Sequence, residues 1–464
     1  MKNSRILQIR KQLDNTSLSF ENYYKNTIKN LNDNKHLNAC LEIVEDYKYA
    51  NNNDKSKLNN ILYAVKDNIN VLDTTTTGGS LFFKNYKSPY SASVIKLLDD
   101  AGAIPICKAN LDEFGLGGTG LFSAYGYVKN PLDETRISAG SSSGSAVLVA
   151  KDLIAFALGT DTGDSIRMPA SYLGIYGYKP TYGLISRYGV FPYSPSLDHV
   201  GLLTNSIYDI AIVMDYINKH DDKDFTSQKT ELSFEKNVLN FDQSSKICFF
   251  DNIVNLLNKD EKELFLNSIN KINQTISISK DNFKIDLIHL IPRVYEILSY
   301  SEAVSCYQNI TGIPFGDKVD GSTFEEKTIN ARTKNFGSEL KRRFVLGSYC
   351  TLEGNYEDVF LKCKKIRRLI VNEAEKHFKN FDFFIMPGSA TIAPKVEDVL
   401  NGNVAPNDVD NYLQVANFGG YPSITIPMGK INGMPMGINI MGKINSDDKL
   451  LALAYKIDQI LRGV

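Results

Sequence analysis

No stretch of this sequence holds the roughly 20 consecutive apolar residues that a membrane-spanning helix needs. The amino terminus, Met1 to Asp14, mixes charge with isolated apolar residues and lacks the apolar core of a signal peptide. A soluble, cytoplasmic protein is the expectation. Neither sign of charge is in excess: 52 Lys and Arg against 53 Asp and Glu leave a formal net charge of -1. No global field therefore draws in nucleic acid or an anionic membrane, and direct contact with nucleic acid should be weak or absent. The six cysteines, Cys40, Cys107, Cys248, Cys306, Cys350 and Cys363, form no C-x-x-C pair, and only Cys40 has a histidine close by, His36. Such spacing supports neither a disulfide framework nor a zinc cluster. The cysteines read as reduced, mostly core thiols, and no metal site is expected. No repeat of fixed period is present.

What the chain does have is an ordinary globular composition, 43% hydrophobic and 23% charged over 464 residues. Length alone allows two domains or one large α/β domain. Hydrophobic periodicity gives a helical lead over about residues 1–55, with Ile6, Ile9 and Leu13 on one face and then Phe20, Tyr24, Ile28 and Leu31. Leu62 to Val71 reads as a buried strand running into a turn, Ser93 to Ala101 as a helix, and Ala103 to Cys107 as a short strand. Next come a Gly/Ser loop at Ser138–Ser145, an apolar helix to Ala150, a strand at Leu153–Leu158 and a second small-residue loop at Gly159–Ser165. Lys219 to Lys246 is polar and aperiodic, a surface excursion. Strands are expected at Phe381–Met386, Tyr421–Pro427 and Met436–Met441, and a closing helix at Leu450–Leu461. Alternating strand and helix signals make the class α/β.

Three features carry chemistry. The Gly/Ser loop could be a flexible linker, but dense apolar segments follow it directly. Gly140-Ser-Ser142-Ser-Gly144 matches the G-x-S-x-G nucleophile elbow. That motif needs a strand before it, whereas Asn130 to Ser138 is polar and contains a proline. It also needs a histidine, and only His199 lies in a loop-like setting, so the elbow is rejected. Lys66 interrupts an apolar segment. It could lay its stem along the core with its head in solvent, or be held in an apolar site as a neutral general base. The Thr160–Ser165 loop could be a plain turn. Alternatively, its successive backbone N–H groups could converge on one oxygen as an oxyanion hole.

Taken together, the segments Ala64-Val-Lys66-Asp-Asn-Ile, the Gly/Ser loop, Gly159-Thr-Asp-Thr-Gly-Asp-Ser165-Ile-Arg167-Met-Pro-Ala and Gly177-Tyr-Lys179-Pro180-Thr resemble the amidase signature family in order and spacing. Ser141 and Ser165 are 24 residues apart, the family's separation. The resemblance implies a single α/β/α domain around a large mixed, twisted sheet, with a catalytic core over about residues 60–215 and the remainder completing the sheet and the substrate pocket. It also implies Lys66 as base, Ser141 as bridging serine, Ser165 as nucleophile, and Thr162, Gly163, Asp164 and Ser165 as the oxyanion hole.

Within the family, further segments are similar to the glutaminase (A-type) subunits of glutamyl-tRNA(Gln)/aspartyl-tRNA(Asn) amidotransferases. These are Lys108-Ala-Asn-Leu-Asp112-Glu113-Phe114, Ser196-Leu-Asp-His199-Val-Gly, Ser301-Glu302-Ala303, Phe336 to Gly347, and Asn417-Phe-Gly-Gly-Tyr-Pro422. This similarity implies glutamine as substrate, its α-amino group held by Asp410 and its α-carboxylate by Arg342 or Arg343, the latter favoured. Lys341–Arg343 could equally be a solvated helix face. It implies no cofactor in this chain. ATP and magnesium would act at a tRNA-binding partner, the B-type subunit, and a small third partner, the C-type subunit, would complete the complex. The chain departs from the family at Asp164, Ala139 and Ser143, where glycines are common, and at Gly118-Thr-Gly-Leu-Phe-Ser123, which replaces a more polar stretch. A carboxylate at 164 beside a developing oxyanion would oppose catalysis unless it points away. The alternatives are a stand-alone amidase acting on another amide and a scaffold that Asp164 has inactivated.

Overall fold

The computed structural model describes residues 4–404 and 407–463; Met1 to Asn3, Ala405, Pro406 and Val464 lie outside the described residues. Eleven strands form one mixed sheet: β1 (Cys40–Ile43), β2 (Leu62–Lys66), β3 (Ile104–Ala109), β4 (Phe156–Asp161), β5 (Tyr176–Lys179), β6 (His199–Thr204), β7 (Ile247–Phe250), β8 (Ile278–Asp281), β9 (Phe383–Pro387), β10 (Ser423–Ile431) and β11 (Met434–Gly442). Their order is β1-β3-β2-β4-β6-β5-β10-β11-β9-β7-β8. β2 pairs in parallel with β3 and β4, and β7 with β8 and β9, while the other neighbours are antiparallel.

Side-chain alternation along the strands divides two apolar layers. Tyr63 and Val65 of β2, with Phe156 and Leu158 of β4, face helices α3 (Ser93–Asp100) and α6 (Ile207–Ile217) through Val94, Leu98 and Ile210. Their neighbours Leu62, Ala64 and Ala157 face α4 (Ser143–Ala150) and α5 (Arg167–Leu173) through Ala146, Val147 and Ala170. Helices thus cover both faces, and the expected single α/β/α architecture is present. β2 is buried along its whole length, which is why its sequence is a continuous apolar run rather than an alternating one.

Some expected boundaries move. The amino-terminal lead contains α1 (Arg5–Asp14) and α2 (Phe20–Asp33) but is not helical throughout, because β1 adds an edge strand antiparallel to β3. β4 begins and ends three residues later than expected. Pairing with β6 from Phe156 to Asp161 carries the ladder into Gly159-Thr-Asp, whose turn-like composition it overrides. The 219–246 stretch is mostly turn and coil, pinned by the fully buried Phe234. All six cysteines are free thiols. Among the described residues, no helix is long and apolar enough to cross a membrane.

Candidate active site

Parallel strands end together at their carboxyl termini, and side chains from neighbouring ends meet there. Lys66, the last residue of β2, is wholly buried. Its Nζ lies 2.7 Å from Ser141 Oγ, 3.0 Å from Ser142 Oγ, 2.7 Å from Thr160 Oγ1 and 3.3 Å from the Thr160 carbonyl. Thr160 comes from the neighbouring end of β4. The serines come from the turn into α4, where Ala139 and Gly140 both adopt left-handed backbone, φ +62° and +61°. A Cβ on Gly140 would lie 2.4 Å from Pro169 Cγ, so only glycine fits there. Burial pushes the Lys66 amine down to about 7, against the attraction of Asp112, Asp161 and Asp198. The neighbouring buried pair, Asp67 with Lys108 at 3.1 Å, keeps the other charges beside it compensated.

A neutral amine has two hydrogens to donate and one lone pair. Ser142 Oγ gives its own hydrogen to the Thr160 carbonyl at 3.0 Å, so it accepts one hydrogen from Lys66, and Thr160 Oγ1, at 2.7 Å, accepts the other. The lone pair is left for a hydroxyl hydrogen, and Ser141 is within reach to supply it. Its neighbour Ser142 donates its backbone N–H to the Ser165 carbonyl at 3.3 Å, which joins the Gly/Ser loop to the second small-residue loop.

That second loop leaves β4 at Asp161. Ile166 N–H turns back to Asp161 Oδ2 at 3.0 Å, whereas among the described residues the backbone N–H groups of Thr162, Gly163, Asp164 and Ser165 donate to no protein acceptor. Unpaired successive N–H groups in a nearly buried loop form a cradle for an anionic oxygen. A buried network fixes the loop. The Arg167 guanidinium pairs with both oxygens of Asp161 and reaches the Gly163 carbonyl at 2.6 Å, the Leu413 carbonyl at 2.7 Å and Asn417 Oδ1 at 2.7 Å. Holding the Gly163 carbonyl fixes the orientation of its peptide. Burial alone would raise Asp161, but Arg167 holds its carboxyl well below the usual range. Thr162 Oγ1 donates to Asp198 at 2.6 Å.

Asp164 is half-buried, and its carbonyl accepts from Arg167 and Met168 N–H. Burial, followed by the charge of Asp161, raises its carboxyl to about 7. Among the described residues its own N–H donates to no protein acceptor.

The two candidate arginines differ in position. Arg343 is buried, donating to Glu339 at 2.7 Å, to the Tyr193 hydroxyl at 3.0 Å and to the Gly117 carbonyl at 2.9 Å. The next carbonyl, Gly118, accepts the Gly140 N–H at 2.9 Å, so Arg343 sits beside the serine loop. Arg342 is exposed and forms a forked pair with Glu339, the solvated-face alternative. Among the described residues Asp410, on the short helix Asp408–Tyr412, accepts only the Ala390 N–H, at 2.6 Å, and burial raises its carboxyl to about 6. Arg167, through Leu413, ties this segment to Gly163.

His199 is not in a loop. It opens β6, is buried, and donates Nδ1–H to the Leu197 carbonyl at 2.6 Å, while burial holds it far below its usual pKa. It bonds to no serine, so the nucleophile elbow fails on its base as well as on its missing strand. Sequence reasoning missed Ser142 and Thr160 as partners of Lys66, and the Asp161–Arg167–Asn417 network. Asp161 and Arg167 lie inside a recognised segment, yet nothing local says that they face each other. Asp112 was missed too. Its carboxylate accepts from Gly118, Gly120 and Phe122 N–H and shapes the substituted loop without help from that loop's side chains.

Residues 23–451 match the family described as Amidase. The chain is 43% identical over 469 residues to the A subunit of glutamyl-tRNA(Gln) amidotransferase from Mycoplasma genitalium, covering 98% of each chain. It is 41% identical over 477 residues to the protein of the same name from Mycoplasma pneumoniae, covering 99% of this chain and 98% of the relative. Among solved structures it is similar to the glutamyl-tRNA(Gln) amidotransferase A subunit from Thermotoga maritima, with TM-score 0.80, 29% identity and coverage of 95% of this chain and 91% of that one. It also shares its fold with the native peptide amidase of Stenotrophomonas maltophilia, with TM-score 0.84, 24% identity and coverage of 98% and 96%.

Proposed function

The chain belongs to the amidase family, and from that premise we propose that it hydrolyses the side-chain amide of glutamine and passes the ammonia to a partner protein. Lys66 takes a proton through Ser141 as Ser165 Oγ attacks the amide carbon. The oxyanion lies among the N–H groups of Thr162 to Ser165. The C–N bond breaks, the proton returns from Lys66 through Ser141 to the leaving ammonia, and water then cleaves the Ser165 ester to release glutamate. Asp410 pairs with the α-ammonium of glutamine and Arg343 with its α-carboxylate. The carrying observation is the buried Lys66 amine, near 7 and 2.7 Å from Ser141, beside a loop of unpaired N–H groups.

The names of the relatives support the larger reading. In it, this chain is the ammonia-producing member of a cytoplasmic complex that converts Glu-tRNA(Gln), or Asp-tRNA(Asn), to the amidated form. The B-type partner binds the tRNA and uses ATP and magnesium, and the small C-type partner completes the complex. The free Asp164 N–H favours an active enzyme over an inactivated scaffold. The test is ammonia release from glutamine by the purified protein, alone and with its partner. Turnover lost in Ser165→Ala supports the reading. Turnover of simple amides with no preference for glutamine would make the chain a stand-alone amidase, and none in any state would make it a scaffold.

A further inference from the structure

Beside Thr160 lies a small cavity with about 10 Å³ open to the centre of a water molecule. Its wall includes Asn68, Thr160, Arg187 and His199. Three buried polar atoms among these residues have no protein hydrogen-bond partner: Asn68 Oδ1, Arg187 Nε and His199 Nε2. For Arg187 Nε the nearby carboxylate of Asp224 is 3.7 Å away, too far to accept. Buried polar atoms are rarely left unpaired, because the desolvation of each is then uncompensated.

The hydrogen-bonding characters of the three atoms complement one another. Nδ1 of His199 must carry its hydrogen, since the Leu197 carbonyl beside it can only accept. Nε2 of the neutral ring is then an acceptor. Asn68 directs its amide nitrogen to Thr160 Oγ1 at 3.1 Å, which leaves its oxygen as a second acceptor. Arg187 Nε–H is a donor. Two acceptors and one donor, on residues that line a space for one molecule, match a water that donates twice and accepts once.

We propose that one tightly held water occupies this cavity between His199 Nε2, Asn68 Oδ1 and Arg187 Nε, and that His199 thereby acts as a positioning residue for Lys66. The chain of contacts is short. The water fixes Asn68, Asn68 fills a lone pair of Thr160 Oγ1, and Thr160 Oγ1 lies 2.7 Å from Lys66 Nζ. With Thr160 held, the Lys66 lone pair is left to Ser141. The positioning half rests on the roles given above to Lys66 and Ser165, whereas the water site does not.

Two measurements on the whole protein test it. An experimental structure that resolves ordered water should show a peak within hydrogen-bond distance of all three atoms, and an empty cavity overturns the site. The second is the rate at which a fluorophosphonate labels Ser165, followed against pH in wild type, His199→Gln and His199→Leu. The probe reads serine activation whichever amide is the substrate, so a failure of the glutamine reading is distinguishable from a failure here. Leucine removes the acceptor. It should slow labelling about tenfold and move the acid limb by about half a pH unit or more, while glutamine, whose oxygen can accept, restores most of the rate. Equal rates in all three, or equal losses in both variants with an unmoved limb, overturn the positioning role. Thermal melting checks folding, and His199→Met replaces His199→Leu if that variant does not fold.

Discussion

Lys66 needs a lone pair to act as a base, and burial sets the pH at which it has one. The amine is charged below about pH 7 and neutral above it, so activity should rise with pH through neutrality and then level. A pH profile of kcat/KM that stayed flat across this range would contradict the assignment. Lys66→Ala should cut turnover by about three orders of magnitude or more, and no histidine substitution should cost more than the modest loss assigned to His199. At Asp164 the expectation is tolerance: Asp164→Gly should keep most activity, because the backbone N–H that matters is already free. Asp410 and Arg343 should govern selection instead. Asp410→Ala and Arg343→Ala should lower kcat/KM for glutamine about a hundredfold or more while sparing a simple aliphatic amide. Arg342→Ala, at an exposed position, should do little. Equal losses on both amides in a competition assay would count against the glutamine pocket.

At the scale of elements, two turns hold the site, and each has its own support. The proposed oxyanion loop depends on Arg167, whose fork reaches Asp161, Gly163, Leu413 and Asn417 at once. Lysine is a point charge and cannot reproduce a planar fork. Arg167→Lys should therefore fold less stably and lower kcat about a hundredfold with a smaller change in KM, measured by steady-state kinetics on protein that still melts cooperatively. The serine turn carries a visible strain. Ala139 has φ +62°, a conformation that costs an L-residue roughly 1–2 kcal/mol. Ala139→Gly should raise stability by up to about 1 kcal/mol, read as a higher denaturant midpoint, with activity unchanged. A lowered midpoint would mean that the alanine methyl contributes more by packing against Met168, Tyr172 and Leu413 than its backbone loses.

For the whole molecule, the question is the division of labour with a partner. Ser165→Ala removes the attacking oxygen and almost no volume, so the fold and the partner surface should survive. In the assembled complex, glutamine-dependent formation of amidated aminoacyl-tRNA should disappear while the ammonium-chloride-dependent reaction persists. The assay follows conversion of Glu-tRNA(Gln) with each nitrogen donor in turn. Loss of both reactions in an intact complex would mean that this chain does more than release ammonia, and retention of both would remove Ser165 as nucleophile.

The sequence alone determined the class of fold, the approximate order of its elements and the three side chains of the proposed triad. Those features are local or keep a fixed spacing: an apolar run ending in Lys66, two small-residue loops, and serines 24 residues apart. It also marked Asp164 as an anomaly and narrowed the proposed carboxylate-binding arginine to two neighbours. Only the tertiary structure decided the rest, because the deciding contacts join segments far apart in the chain. Arg343 rather than Arg342 turns inward since the Tyr193 hydroxyl and Gly117 carbonyl wait on that side of its helix. β4 runs through Thr160 because β6 supplies a ladder partner there. His199, a loop residue by its Gly/Pro-rich surroundings in sequence, is pulled into that ladder and buried, where charge is too costly for it to keep. Whether Lys66 lies neutral in the core or reaches solvent is left open by its apolar run. Burial removes water from the amine and lowers its pKa, and hydroxyls from β4 and the turn into α4 meet it there.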